Sequence, residues 1–256
     1  MTEVLLTRRE EFALLTLNRP QALNALSFAI IARIGAAFDE VAQSDARALI
    51  ITGVGPKAFC AGADIKELRG RDLMAQRRGA ELGQAVFAKL DRLAVPSIAA
   101  INGYAFGGGL ELALACSFRL ATRSAKLGLP EIKLGLVPGY GGTQRLPRVV
   151  GEARALEMIL TGRTVDAEEA ERIGLVHRLI DGDPVAAAIG FARTFSGYSL
   201  PALGFARAAV QRALSVPLAE GLRSETDLGT QAFRMEDAEE GMAAFAEKRT
   251  PVFRDR

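Results

Sequence analysis

The stretch INGYAFGGGLELALAC (101–116) contains the order of elements that decides the fold: a short strand, a glycine-rich turn and an apolar helix. Glu111 lies in the first turn of this helix. On an exposed helix, the favourable interaction of a glutamate with the helix dipole would account for it. This helix carries apolar side chains all round, which is typical of a buried helix, and a buried carboxylate is costly unless it is partnered or protonated. Glu111 is therefore a candidate functional residue.

A second glutamate follows in LGLPEIKLGLVPG (127–139), where Glu131 comes directly after Pro130. Taken alone, Glu131 is typical of an exposed loop acid. Together with Glu111, it gives two acids near glycine-rich backbone with no histidine nearby. The combination favours an acid/base pair beside an anion-stabilising pocket of amide N–H groups, which suits enolate chemistry.

The sequence of strand, glycine-rich turn and helix recurs along the chain and indicates an α/β fold. Strands are predicted for FALLTLN (12–18), RALIITG (47–53) and SIAAINGY (97–104). Ser27 is predicted to cap a helix with apolar residues at helical spacing, and the charged stretch 66–92 is predicted to be helical.

From Ala202 onward the extended runs disappear, and the pattern predicts helices joined by short breaks. No low-complexity linker separates them from the rest, so they are expected to pack on this subunit or on a neighbour. We therefore divide the chain into a core with the active site (1–197) and a C-terminal helical oligomerisation region (198–256).

Composition narrows the functional classes. The net charge is only +2, and no run of like charges suggests a nucleic-acid surface. Two cysteines, Cys60 and Cys116, and one histidine, His177, cannot build a disulfide framework or a His/Cys zinc site, so no metal is expected. The chain shows neither a signal-peptide pattern nor an apolar run of membrane-spanning length. The prediction is a cytoplasmic protein without membrane or nucleic-acid partners.

Three glycine-rich stretches mark sharp turns or close approaches to a ligand: FCAGAD (59–64), FGGGLE (106–111) and PGYGGTQ (138–144). Any one of them alone is best interpreted as a turn. None satisfies the glycine spacing of dinucleotide-binding or P-loop motifs, so phosphate cradles of those kinds are excluded.

Several motifs resemble the crotonase superfamily, and most closely the enoyl-CoA hydratases. They are FCAGADIKEL (59–68), INGYAFGGGLELALAC (101–116), LGLPEIKLGLVPGYGGTQRLPRVVG (127–151) and LTGRTVDAEEAERIGLVHRLI (160–180). The similarity extends from residue 18 to residue 253. It implies a spiral of ββα repeats, a C-terminal helical trimerisation region, and homotrimers or hexamers built as dimers of trimers.

The resemblance also implies an active site. The oxyanion hole would be the N–H groups of Ala63 and Gly108, Glu111 would hold and help deprotonate the attacking water, and Glu131 would deliver a proton to C2. The implied reaction is syn addition of water to a trans-2-enoyl-CoA thioester, giving a 3-hydroxyacyl-CoA in β-oxidation or related acyl-CoA catabolism. Coenzyme A would be part of the substrate, and no separate cofactor is implied.

For the coenzyme, the resemblance implies contacts with two segments of the chain and with the tail of a neighbouring subunit. Lys66, with Arg69 and Arg71 after it, could offset phosphate charge, although a solvated helix face explains the two arginines equally well. The implied contacts are Ala22, Leu23, Ala61, Ala63, Asp64, Ile65, Lys66, Gly108 and, from the neighbour, Lys248.

Three interpretations stay open at this level. The first is an enoyl-CoA hydratase. The second is an enoyl-CoA isomerase or another acyl-CoA enzyme of the same fold. The third is an RNA-binding member of the fold, against which the near-neutral charge and the intact acid pair argue. Acyl chain length, pathway, the choice between trimer and hexamer, and the role of Tyr140 are not specified by the sequence.

Overall fold

Two β-sheets organise the chain, which the computed structural model describes over residues 2–256. The strands are β1 (Val4–Arg9), β2 (Phe12–Leu17), β3 (Leu49–Gly53), β4 (Ala58–Cys60), β5 (Ser97–Ile101), β6 (Tyr104–Phe106), β7 (Phe118–Thr122), β8 (Lys126–Gly128), β9 (Val165–Asp166) and β10 (Arg178–Ile180). The larger sheet has the order β1-β2-β3-β5-β7-β10, and the smaller one has the order β4-β6-β8-β9. Only β1 and β9, at one edge of each sheet, pair antiparallel within these residues.

Helices follow the strands and then form the C-terminal part. They are α1 (Phe28–Ala42), α2 (Ile65–Leu68), α3 (Leu73–Arg92), α4 (Gly108–Ala115), α5 (Gly142–Val150), α6 (Glu152–Thr161), α7 (Ala167–Arg172), α8 (Pro184–Ala192), α9 (Leu200–Arg212), α10 (Leu218–Phe233) and α11 (Glu236–Glu247), with 3-10 turns at Pro20–Ala22 and Pro130–Leu134.

The chain winds as a spiral of strand–strand–helix repeats. In each of three successive repeats the first strand (β3, β5, β7) joins the larger sheet, and the second (β4, β6, β8) joins the smaller sheet. A helix or 3-10 turn then leads into the next repeat. The spiral of ββα repeats predicted from the sequence is therefore confirmed, and it stacks the turns after β4, β6 and β8 beside one another.

The larger sheet is covered on both faces, because the side chains of β3 alternate between two apolar clusters. Leu49 and Ile51 belong to the cluster with α1 and α3, whereas Ile50 belongs to the cluster with α8. Every residue of β3 and β5 is buried, which fits the continuous apolar runs of parallel strands enclosed by helices.

The helix predictions hold with one correction. Ser27 caps α1, its side chain accepting a hydrogen bond from the Ile30 N–H. The stretch 66–92 is helical as predicted except at one break, because α2 ends at Leu68 and α3 begins at Leu73. Gly70 in the break has a φ of 72°, and the Asp72 side chain starts α3 by accepting from the Ala75 N–H.

The C-terminal helices α9–α11 attach to the core through charged and polar contacts. Arg47 donates to the Ser196 carbonyl and to the Asp255 carboxylate. The buried Asp237 carboxylate accepts the N–H groups of Arg254 and Asp255 and so fixes the end of the chain. The helical character predicted from Ala202 onward is confirmed, while the division at residues 197 and 198 stays a prediction.

Candidate active site

Helix α4 carries Glu111 into the interior at a sharp turn. Gly107 precedes the helix with a φ of 49°, and its N–H donates to the Gly128 carbonyl, which joins two neighbouring repeats. All eight residues of α4 are buried, and Glu111 is only 1% exposed. The buried helix and the buried acid predicted from the sequence are both present.

Main-chain donors hold one oxygen of the Glu111 carboxyl group. Oε1 accepts the N–H of Tyr140 at 2.7 Å and the N–H of Gly142 at 2.7 Å, and both donors lie where α5 begins. The main-chain N–H of Gly141, which lies between these two donors in the chain, also stabilises the charged carboxylate. Burial, together with the nearby charge of Glu131, raises the pKa of Glu111 to about 7 even though the main-chain donors lower it.

Glu131 approaches the same turn from the next repeat. It lies in the 3-10 turn Pro130–Leu134 and is half-buried, and burial raises its pKa. Its Oε1 would lie 2.6 Å from a Cβ atom built on Gly107, so a side chain at position 107 would displace the carboxyl group. Its Oε2 is buried without a hydrogen-bond partner in residues 2–256. A buried oxygen without a hydrogen bond is unusual in a folded protein, and a catalytic role is one of the explanations for it.

Two main-chain amides lie at the same turn. Gly62, with a φ of 106°, packs so closely that a Cβ built on it would lie 3.0 Å from the Phe106 carbonyl oxygen and 3.6 Å from the Gly108 nitrogen. Leu26 bonds to the residues on either side of Ala63, donating to the Gly62 carbonyl and accepting from the Asp64 N–H. Within the described chain the N–H groups of Ala63 and Gly108 have no main-chain acceptor, so both are free to bind an anionic oxygen.

The segments predicted to contact coenzyme A lie together. Ala61 donates its N–H to the Leu23 carbonyl, which joins Ala22 and Leu23 to the segment 61–66. The Asp64 carboxylate accepts from the Lys66 N–H and forms an ion pair with Arg19 at 2.7 Å, and the bond to Arg19 lowers its pKa. Asp64 therefore anchors the turn rather than offering a free carboxylate.

The side chains predicted to face the coenzyme phosphates divide into two groups. Ile65 and Lys66 are exposed, as is Arg69. Arg71, in contrast, turns back onto the protein: its guanidinium group stacks 4.0 Å over the Phe28 ring and donates to the Ala75 carbonyl. This stacking occupies the Arg71 side chain and gives no support to a contact with phosphate, which stays a prediction.

Lys248 lies at the C-terminal end of α11 and is exposed, with a φ of 55°. Its main-chain N–H donates to the Phe245 carbonyl and closes the helix. Its contact with the coenzyme of a neighbouring subunit stays a prediction.

The remaining reactive residue types are structural. His177 precedes the edge strand β10, and its Nδ1 accepts the Arg119 N–H; burial lowers its pKa to about 4. Cys60 and Cys116 are buried, and burial raises the pKa of each thiol to about 12, which makes them inert.

The sequence reasoning missed the donors that hold Glu111. Tyr140 and Gly142 act through their N–H groups, about thirty residues along the chain from the acid, and main-chain groups carry no residue-type signature. The sequence signal that could have indicated them is the glycine run in PGYGG. A side chain at Gly142 would crowd the acid, because a Cβ built there would lie 3.1 Å from Glu111 Oε1.

No helix in residues 2–256 combines the length and hydropathy that a membrane crossing requires.

The spiral of repeats, with one buried and one half-buried acid and two free amides at its stacked turns, is the architecture of crotonase-type α/β proteins. The chain matches the family described as "Enoyl-CoA hydratase/isomerase" over residues 7–256 and belongs to that family. The resemblance stated from the motifs is thereby confirmed.

Individual relatives cover nearly the whole chain. A Mycobacterium tuberculosis protein named "Probable enoyl-CoA hydratase echA8" is 48% identical over 255 residues, which are 99% of this chain and 98% of that one. A Syntrophomonas wolfei protein named "Crotonyl-CoA hydratase" is 40% identical, covering 98% and 97% of the two chains. The crystal structure of an enoyl-CoA hydratase from Bacillus anthracis superimposes with a TM-score of 0.95 at 37% identity over 100% of both chains.

Proposed function

We propose that the chain catalyses the addition of water to trans-2-enoyl-CoA thioesters, which gives 3-hydroxyacyl-CoA thioesters. The observation that carries the proposal is the pair of acids at one turn: Glu111 is buried and held by main-chain donors, and Glu131 has a buried Oε2 without a hydrogen-bond partner in residues 2–256. The hydratase names of the relatives in Mycobacterium tuberculosis and Syntrophomonas wolfei support the same reaction.

The thioester carbonyl is proposed to bind at the N–H groups of Ala63 and Gly108. Water attack at C3 places negative charge on the carbonyl oxygen, as an enolate. Two preorganised donors stabilise this charge more strongly than they stabilise the neutral carbonyl, and the N-terminus of α4 adds a favourable dipole. Removing one such donor from an enzyme typically costs about 10²- to 10³-fold in rate.

The two acids are proposed to divide the proton transfers. Glu111, ionised, takes a proton from the water whose oxygen bonds to C3. Glu131, protonated, gives its proton to C2, so water is added across the double bond and the pair keeps one proton in total. Burial of both carboxyl groups and the charge of Glu131 near Glu111 favour one shared proton over two ionised carboxylates, because the two titrations are coupled; hydration is proposed to start from the form in which Glu131 carries that proton. A water shared by both carboxyl groups returns the proton to Glu131 after the product leaves.

Coenzyme A is proposed to lie along the joined segments 22–23 and 61–66, with Lys66 near its phosphates and Lys248 of a neighbouring subunit as a further contact. No cofactor beyond the coenzyme A of the substrate is proposed. A cytoplasmic location is proposed because the sequence shows no signal-peptide pattern. A role in β-oxidation or related acyl-CoA catabolism is proposed because the motifs resemble those of enoyl-CoA hydratases.

The assembly proposed is a homotrimer or a dimer of trimers, formed through residues 198–256. Support comes from large apolar side chains that α9–α11 and their connections leave exposed, since soluble proteins usually cover such a surplus. These are Val210, Leu214, Leu218, Leu222, Phe233, Met242 and Phe245.

The proposal is tested with a panel of 2-enoyl-CoA thioesters and one 3-enoyl-CoA thioester, following the change in enoyl absorbance and identifying each product by mass. We expect turnover of crotonyl-CoA to a product heavier by one water. Turnover limited to moving the double bond of a 3-enoyl-CoA, with no water gained, would contradict hydration and favour the isomerase interpretation.

A further inference from the structure

The side chain of Tyr140 occupies a position that neither the acid pair nor the oxyanion hole explains. Its main-chain N–H donates to Glu111, while its ring packs against the start of α4 and the middle of α3. Phe87 meets the ring edge-on, with the ring centroids 5.8 Å apart. The residue is 7% exposed, so the ring is fixed in place beside the acid.

Glycines make room for this ring on both sides. A Cβ built on Gly83 of α3 would lie 2.2 Å from Tyr140 Cδ1, and a Cβ built on Gly108 would lie 3.0 Å from Tyr140 Cδ2. The ring therefore lies directly on the backbone of two helices. No acyl chain can pass between the ring and either helix, because the aromatic atoms already occupy contact distance.

The neighbouring turn of α3 repeats the arrangement. Gly79 lies four residues before Gly83, and a Cβ built on it would lie 2.4 Å from Cε1 of the Phe28 ring. Two aromatic rings thus lie over two glycines on successive turns of one helix. We call Phe28, Gly79, Gly83 and Tyr140 the aromatic wall.

The aromatic wall lies where the acyl chain must extend. The inference rests on the proposed function, in which the carbonyl oxygen binds at the Gly108 N–H and C3 faces the water held by Glu111. Carbon atoms beyond C3 then continue past Glu111, where Tyr140 donates its N–H to Glu111 and packs its ring on the backbone of Gly108. We infer that the Tyr140 ring closes the acyl pocket and makes the enzyme selective for short 2-enoyl chains such as crotonyl over long ones such as decenoyl.

The test compares kcat/KM for crotonyl-CoA and for trans-2-decenoyl-CoA. Tyr140→Ala removes the ring but keeps the N–H that holds Glu111. We expect the decenoyl-to-crotonyl ratio of kcat/KM to rise at least about 10-fold, the lower end of what one methylene costs in a tight pocket. Tyr140→Phe is the matched control: it keeps the ring and loses only the hydroxyl, so the ratio should stay within about 3-fold of the wild type.

A second variant tests the packing on α3. Gly83→Ala should push the ring into the pocket and lower kcat/KM for crotonyl-CoA by at least about 10-fold. In the Tyr140→Ala background, the same change meets no ring and should alter kcat/KM by less than about 3-fold. Circular dichroism on each variant confirms that the fold is retained.

The outcomes separate this inference from the proposed function. Equal kcat/KM for both thioesters in the wild type, or an unchanged ratio in Tyr140→Ala, would overturn the role of the ring while leaving hydration in place. Equal damage from Gly83→Ala in both backgrounds would also overturn it. A wild-type protein that hydrates neither thioester would overturn the proposed function and the inference together.

Discussion

The turn around Glu111 and the C-terminal helices differ in the kind of group that lacks a partner in the single chain. At the turn, polar groups of the described chain lack partners: Glu131 Oε2 is buried without a hydrogen bond, and the N–H groups of Ala63 and Gly108 have no main-chain acceptor. On α9–α11, apolar groups are exposed without partners, among them Phe233 at 69% and Phe245 at 87%. Each arrangement costs free energy in the isolated chain. The difference supports the two proposals made above, that a substrate completes the turn and that a second subunit covers the C-terminal helices.

The largest effect is expected from the acids. Glu111→Gln and Glu131→Gln should each lower kcat for hydration of crotonyl-CoA by about 10²- to 10⁴-fold, because a neutral amide neither accepts nor gives the required proton. Glu40→Gln, on the exposed face of α1, is the matched control and should retain wild-type kcat. Near-wild-type hydration by either acid variant would remove that residue from the mechanism.

Gly107→Ala should give the next largest effect. The new Cβ would lie 2.6 Å from Glu131 Oε1 at a residue with a φ of 49°, so the carboxyl group must move. A displacement of about 1 Å can cost about 10²-fold in kcat. Gly182→Ala is the control, since Gly182 has a φ of 76° and no atom within 4 Å of its would-be Cβ. The control should lose about 1–2 kcal/mol of stability and keep its kcat; equal kcat in both variants would contradict the placement of Glu131.

The burial of Glu111 should also appear in the pH dependence of stability. Its pKa is about 7 in the folded protein and near its ordinary value in the unfolded chain, so the folded state binds the proton more tightly. The free energy of unfolding therefore falls as pH rises between the two values. Glu111→Gln removes this loss and should gain up to about 3 kcal/mol relative to wild type between about pH 5 and about pH 8. Denaturant unfolding at a series of pH values measures the free energy of unfolding of both proteins. If the difference between wild type and Glu111→Gln did not change with pH, Glu111 would not have a raised pKa in the folded protein.

The smallest effect on the stability of the subunit is expected from substitutions on the exposed surface of the C-terminal helices. Phe233→Asp with Phe245→Asp should change the stability of a monomer by less than about 0.5 kcal/mol each, because both side chains are exposed in the single chain. Light scattering should nevertheless show a trimer or hexamer for the wild type and a smaller species for the variant. A wild type that is monomeric at micromolar concentration would mean that the apolar surplus serves another purpose.

The two regions also differ in how far the sequence specifies them. The buried Glu111 and the alternation of strands and helices could be predicted because glycines and apolar runs encode turns and buried elements directly, whereas the spiral was implied by the family resemblance. The donors to Glu111 could not, because main-chain N–H groups from Tyr140 and Gly142 reach it only after folding. The break after α2 and the stacking of Arg71 on Phe28 likewise depend on tertiary packing, which residue type alone does not show.

The proposed division of roles between Glu111 and Glu131 is tested most directly by a reaction that needs no addition of water. Butyryl-CoA, a saturated thioester, can exchange its C2 proton with D₂O when its carbonyl binds at the oxyanion hole and an ionised Glu131 takes the proton, and mass spectrometry follows the deuterium gained. We predict that Glu111→Gln, in which no second carboxylate opposes ionisation of Glu131, exchanges this proton at least as fast as the wild type while failing to hydrate crotonyl-CoA, and that Glu131→Gln does neither. Wild-type exchange by Glu131→Gln would contradict the account.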